Sequence, residues 1–112
     1  MAHQLPGNEV PQELKRRQPK PVTVLRGHVS EVNCLCFGWA DTGAQLLVSG
    51  DAAGTLIIWE LAMRRPRLRL EHAHPGGVLS VSICPGEGGT TMFSQGRDNS
   101  VRVWDLVSLD YL

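Results

Sequence analysis

An excess of either charge is missing from this sequence. Over 112 residues, 11 Lys and Arg stand against 11 Asp and Glu, for no formal net charge. That balance argues against a nucleic-acid binder held by phosphate neutralisation, which needs a basic face. Long apolar runs are missing as well, and none approaches the roughly 20 residues of a membrane-spanning helix. The opening MAHQLPGNEV has no apolar core of the kind a secretory signal carries. Cysteine is scarce, at 3 residues. Without an export signal these read as reduced thiols of a cytosolic or nuclear protein. A phosphate cradle is absent too: GEGGTT has no P-loop Lys, and no G-x-G-x-x-G precedes a helix. No cofactor and no small-molecule substrate is expected.

What the chain does contain is a sentence said twice. Ser94 to Asp105 reads as a strand end, a turn at Asp98-Asn99, and a strand that finishes in Trp104-Asp105. Asp and Asn tolerate left-handed backbone angles, so a turn there costs little. Val101 and Val103 then point one way and Arg102 the other, the period-two alternation of a strand. Shifted back by 45 positions, Ser49 aligns with Ser94, Ile58 with Val103, and Trp59 with Trp104. Further upstream, Gly27-His28 with Val32, Leu35 and Phe37 is matched by Ala73-His74 with Val78, Val81 and Ile83, at an offset of 46. Each unit runs through a His dipeptide, an apolar strand, a loop, a strand ending in Ser, a turn, and a strand ending in Trp and an acid.

A period of about 40–45 residues with Gly-His near its start and Trp-Asp near its end resembles the WD40 family. The resemblance covers residues 22–106. It implies an all-β fold, a partial β-propeller of two blades in an incomplete ring. Residues 1–20 are expected as a disordered tail, because they are polar, carry Pro6, Pro11 and Pro19, and have little apolar surface to bury. Lys15-Arg16-Arg17 with Lys20 has the composition of a nuclear import signal, although a solvated tail is the preferred reading. Residues 21–26 are expected as a lead-in strand, the outer strand of the blade that closes the ring. Residues 27–70 then form the first repeat, and 71–112 the second without its outer strand. Propellers use four to eight blades, and seven at this period need on the order of 300 residues. The chain is therefore expected to be an N-terminal portion of a longer propeller.

Within the first unit, Glu31 to Phe37 is expected as the inner strand, with Val32, Cys34 and Cys36 on one face and Asn33, Leu35 and Phe37 on the other. Gln45–Ser49 and Thr55–Trp59 form a hairpin, and Arg67–Leu70 an outer strand with both Arg outward. In the second unit, Val78–Cys84 precedes a Pro85–Gly89 loop, followed by strands Thr91–Ser94 and Val101–Trp104.

The resemblance makes His74, Ser94, Asp98 and Trp104 a structural quartet, in which indole, hydroxyl, imidazole and carboxylate are hydrogen-bonded in series. The donor inventory fits: Trp only donates, an ionised Asp only accepts, and Ser and His do both. A hydrolase triad is the tempting alternative. It is rejected because Ser94 lies on a strand with no nucleophile-elbow pattern around it, so no catalytic residue is expected. In the first unit His28, Ser49 and Trp59 are present, but Ala53 stands where the turn Asp belongs. That quartet is expected to be incomplete, with Asp51 at the wrong spacing. Cys34, Cys36, His72 and His74 raise a zinc reading. Their spacing matches no common knuckle and buried Cys is ordinary core, so no metal is expected. Arg64, Arg65, Arg67 and Arg69 read as a solvated edge strand protected against pairing.

Most WD40 propellers are rigid platforms for proteins. Matching the family's binding positions here singles out Glu31 and Ala52 in the first unit, and Gly77 and Arg97 in the second, as candidate partner contacts. Narrower phrases, PVTVLRGH, EHAHPGGVLSV and FSQGRDNSVRVWDL, look like the start of one WD40 subgroup. It includes guanine-nucleotide-binding-subunit-beta-like proteins, the yeast ASTRA-associated protein 1 and plant proteins named for a decreased size exclusion limit. That likeness implies a non-catalytic interaction scaffold in assemblies that mature large kinases or remodel chromatin, or in plants a role affecting plasmodesmata. Two alternatives are weaker. A ubiquitin-ligase substrate receptor commonly shows W-D-x-R, but Val107 and Ala62 stand at the Arg position. A G-protein β subunit needs an N-terminal coiled coil, and residues 1–20 carry prolines without heptads.

Overall fold

The computed structural model describes residues 19–40, 42–86 and 89–106. Seven strands follow in chain order: β1 (Val32–Trp39), β2 (Gln45–Asp51), β3 (Leu56–Glu60), β4 (Arg65–Leu70), β5 (Val78–Gly86), β6 (Gly89–Gly96) and β7 (Val101–Asp105). Neighbouring strands pair antiparallel in two meanders, β1-β2-β3-β4 and β5-β6-β7. This is the all-β, two-bladed arrangement that the repeat implies. Residues 1–18, which hold nearly all of the expected tail and the basic cluster at 15–17, lie outside the described residues.

Alternation decides where the core forms. Val48 on β2 sits opposite Ile58 on β3, which in turn faces Leu68 on β4. One apolar row thus crosses the first sheet. It packs with Leu46 and Leu56 against Val78, Met92 and Leu106 of the second unit, so the core lies between the sheets. The sheets approach closely because a side chain is missing where they meet. A Cβ placed on Gly50 would lie 2.7 Å from Val78 Cγ1. Two polar fasteners span the same seam: Asn33 Nδ2 donates to Val78 O at 3.1 Å, and Thr90 Oγ1 donates to Trp39 O at 3.1 Å.

Several local expectations are corrected. The register slips between Val32 and Cys34, and again between Val78 and Ser80. A bulge therefore sits at the same point of both inner strands, and one extra residue reverses the facing of what precedes it. Val32 consequently lines a cleft with Leu35, Leu47 and Trp59 rather than sharing the face of Cys34 and Cys36. Residues 21–26 are not paired as a strand here, and the closing blade in which they were expected to pair is not among the described residues. The Pro85–Gly89 loop is largely strand, with Pro85 opposite Thr90 and Gly86 opposite Gly89. Finally, Arg67 is half-buried and donates to Glu60 Oε2 at 2.6 Å instead of pointing freely outward. Pro66 lies on edge strand β4, where a residue without an N–H donor is tolerated.

Candidate functional site

His74 lies wholly buried just before β5. Its Nε2 is 2.7 Å from Ser94 Oγ on β6, and its Nδ1 is 2.9 Å from Asp98 Oδ1 in the β6–β7 turn. Trp104 Nε1, on β7, donates to the same Ser94 oxygen at 2.9 Å. The indole can only donate, so Ser94 Oγ accepts from it and donates its own proton to Nε2. Nδ1–H is then left to donate to Asp98, and every proton in the series has one direction. Ser100 joins from the far side of the turn, its hydroxyl donating to Asp98 Oδ1 at 2.8 Å. The hydrogen bonds from His74 and Ser100 outweigh desolvation and hold the Asp98 carboxyl down to about 2.

The first unit builds the same series with a different acceptor. His28 Nε2 is 2.5 Å from Ser49 Oγ, and Trp59 Nε1 donates to that oxygen at 2.8 Å. The network is complete, contrary to expectation. Asp51 accepts from Nδ1, with Oδ2 at 2.7 Å, so the aligned residue Ala53 is not needed. The carboxylate reaches the imidazole from the last residue of β2 instead of from the turn. Its other oxygen accepts the backbone N–H groups of Ala53 at 2.9 Å and Thr55 at 3.0 Å, so a single side chain ties both the turn and the ring. Burial pushes the Asp51 carboxyl up, but the His28 bond and the two amides pull harder, leaving it below its ordinary value.

Sterics explain why the second unit cannot use the acceptor position of the first. Gly96 pairs with Val78 as Asp51 pairs with Val32, so it is the positional counterpart of Asp51. A Cβ on Gly96 would lie 2.3 Å from His74 Cγ. The second unit therefore has no room for a side chain there, and its carboxylate comes from the turn.

The family model described as WD domain, G-beta repeat matches residues 19–60 and 65–105. The chain belongs to the WD40 repeat family. The second matched WD40 repeat starts at β4, which belongs to the first sheet. Repeat and sheet are thus offset by one strand, and that strand ties each sheet to the next. ASTRA-associated protein 1 of Aspergillus niger is 40% identical over 92 residues, covering 79% of this chain and 20% of that protein. The protein of the same name in Clavispora lusitaniae is 42% identical over 80 residues, 71% of this chain and 19% of that one. The chain spans about a fifth of the length of these curated relatives. Among solved structures, the computationally designed Ika4 protein aligns with a TM-score of 0.61 at 22% identity, over 80% of this chain and 50% of that one. That last likeness concerns the fold alone.

The four candidate contacts of the WD40 reading gather at one end of the two sheets. Ala52 N donates to Glu31 O at 2.8 Å and Arg97 N to Gly77 O at 3.0 Å, the same bond in each repeat. Glu31 and Arg97 are exposed and Ala52 is half-buried. Gly77 is buried instead. It has φ +124, and a Cβ there would lie 3.0 Å from Ala52 O, so it is a packing contact between repeats and presents nothing outward. Arg97 borders a depression of about 450 Å³ with Leu79, Gln95, Asn99, Ser100 and Val101. Of the zinc candidates, Cys34 and Cys36 lie on β1, His72 is in the turn after β4, and both ring nitrogens of His74 are engaged by Ser94 and Asp98. In the basic stretch, Arg69 donates to Glu71 Oε1 at 2.9 Å and also to Gly27 O.

Proposed function

We propose that this chain is part of a non-catalytic WD40 platform for proteins, and that the assembly it serves is ASTRA or one of its kind. A single observation carries the reading. Both Ser-His-Asp sets are committed as internal locks, each Ser oxygen holding an indole N–H inside its sheet. What they fix is the turn end, where Glu31, Ala52 and Arg97 stand on a backbone with its polar groups bonded. A rigid, mixed-charge turn surface costs little ordering entropy on binding, which suits it to recognise a folded partner. The names of the relatives, ASTRA-associated, supply the assembly. The narrower resemblance extends it to complexes that mature large kinases or remodel chromatin, in the cytoplasm or nucleus.

The test is co-purification of ASTRA subunits with tagged protein, wild type against Arg97→Glu. Arg is favoured at contact hot spots, so the reversal should cut recovery of the subunits at least several-fold while the far-ultraviolet dichroism stays unchanged. Recovery of no ASTRA subunit with the wild type would sink the assembly, and equal recovery with Arg97→Glu would sink the turn surface.

A further inference from the structure

Of the arginines that follow β3, two are spoken for. Arg67 donates to Glu60 Oε2 at 2.6 Å, and Arg69 donates to Glu71 Oε1 and to Gly27 O. Arg64 and Arg65 are exposed, and neither forms an ion pair with a described residue. For Arg65 this is not for want of an acid, because Glu60 stands directly opposite it across the β3–β4 ladder. A bulge decides the pairing. Ile58 faces Leu68 and Trp59 faces Pro66, so Arg67 is the extra residue between them. An extra residue re-aims the side chains around it. Here it brings Arg67 to Glu60 and leaves Arg65 unmatched.

Arg64 is held against its own preference. Its φ is +54, in the left-handed region where Gly or Asn is the ordinary choice. The turn is nonetheless fixed at both ends, since Arg64 N donates to Leu61 O and Leu61 N to Gln45 O, each at 3.2 Å. Met63, inside it, is 53% exposed. An arginine kept at a strained position in a bonded turn points to a use outside the fold. A turn already ordered also loses little entropy when something binds it. Edge protection accounts for charges along a strand, but not for a strained one in the turn before it. Antiparallel order puts this turn at the end of the first sheet opposite Ala52. It lies on neither sheet face, so blades stacked face to face leave it open.

We propose that residues 61–65 form a second contact surface, which takes an acidic segment of a partner protein. Arg64 and Arg65 meet its carboxylates, and Met63 meets an apolar residue among them. Both residue types are enriched at the centre of protein interfaces. Nucleic acid fits less well. Holding a phosphate backbone needs a basic face of many charges, whereas this chain has no net charge. Met63 would also give such a backbone nothing to bind.

The experiment uses the purified chain and synthetic ligands, so it depends neither on ASTRA nor on the turn surface around Arg97. Anisotropy of a labelled peptide of Glu residues around one Leu should rise on titration with the wild type. The affinity should fall as salt is added, and replacing the Glu residues by Gln should abolish the rise. Arg65→Glu should weaken binding about ten-fold or more and leave the far-ultraviolet dichroism unchanged. Arg64→Gly separates the two sides of that residue. Relieved of its left-handed side chain, the protein should melt at a higher temperature and yet bind the peptide less tightly. A wild type that does not bind the peptide overturns the proposal, and so does binding that survives both substitutions. A lower melting temperature for Arg64→Gly would make Arg64 a prop of the fold and overturn it as well. Tighter binding of an oligouridylate than of the peptide would assign the turn to nucleic acid instead.

Discussion

At the scale of single residues, the Ser hydroxyl is the joint of each lock. Ser94→Ala would strand the indole N–H of Trp104 and leave Nε2 of the buried His74 without its donor. Leaving buried polar groups unpartnered costs about 1–3 kcal/mol. Ser49→Ala should fall towards the upper part of that range, because Trp59 is buried whereas Trp104 is half-exposed. Urea titrations followed by tryptophan emission measure both. The Asp98 carboxyl adds a dependence on acid. Its pKa is held at about 2 in the folded chain against 3.8 as its ordinary value. Its stabilisation is therefore complete above the ordinary value and is lost as pH falls from there through about 2. Asp51 acts in the same direction. Asp98→Asn should flatten the acid limb of a stability-against-pH curve, and an unchanged limb would mean that other groups dominate it. His74, Ser94, Asp98 and Trp104 were legible in the sequence because four residue types recur at family spacing. Asp51 was not, because alignment compares positions, and a carboxylate two residues early reaches the same ring atom from a strand end. Ser100 was equally hidden, one more hydroxyl in a polar turn, although Thr55 stands at its place in the first unit and its backbone N–H meets Asp51 as that of Ser100 meets Asp98.

At the scale of elements, turns carry constraints that a pattern of apolar residues cannot express. Gly54 sits at φ +94 with His74 O 2.1 Å from where a Cβ would be, and Gly43 sits at φ +90 with nothing within 4 Å. The pair separates conformation from contact. Gly43→Ala should cost only the left-handed penalty of about 1–2 kcal/mol. Gly54→Ala should cost clearly more, because backbone from the next unit must also withdraw. Thermal melts of the two variants give the comparison, and equal losses would show that the seam yields freely. The strands themselves were readable from alternation, and the hairpin from β2 to β3 falls where the Ser-to-Trp stretch placed it. The bulges at Asn33 and Leu79 left no such trace. They arise from how each inner strand leaves the His segment, and they turn Val32 to a face that simple alternation denies it. Residues 21–26 show the other side of this: alternating composition makes a strand only where an edge is there to pair with, and the blade expected to supply that edge is not among the described residues.

At the scale of the whole molecule, the two units share one core instead of owning one each. Leu46, Val48, Leu56 and Ile58 from the first sheet form a single cluster with Val78 and Met92 from the second and with Leu106 just beyond it. His74 belongs by hydrogen bonding to the second lock while its backbone N–H rests on Gly54 of the first turn. Neither sheet can lose its packing without uncovering the other, so unfolding should be a single transition. Trp59 and Trp104 report on the two units separately once Trp39 and one of the pair are replaced by Phe. Ile58→Ala removes wholly buried methylenes from the seam and should lower stability by about 2–5 kcal/mol. The informative reading is where that loss shows. If the core is shared, both tryptophan probes shift to lower denaturant by the same amount, although Ile58 lies only on the first sheet. If the loss stays with Trp59 while the Trp104 transition holds its midpoint, the repeats are independent units that merely touch, and the locks would then serve each sheet alone.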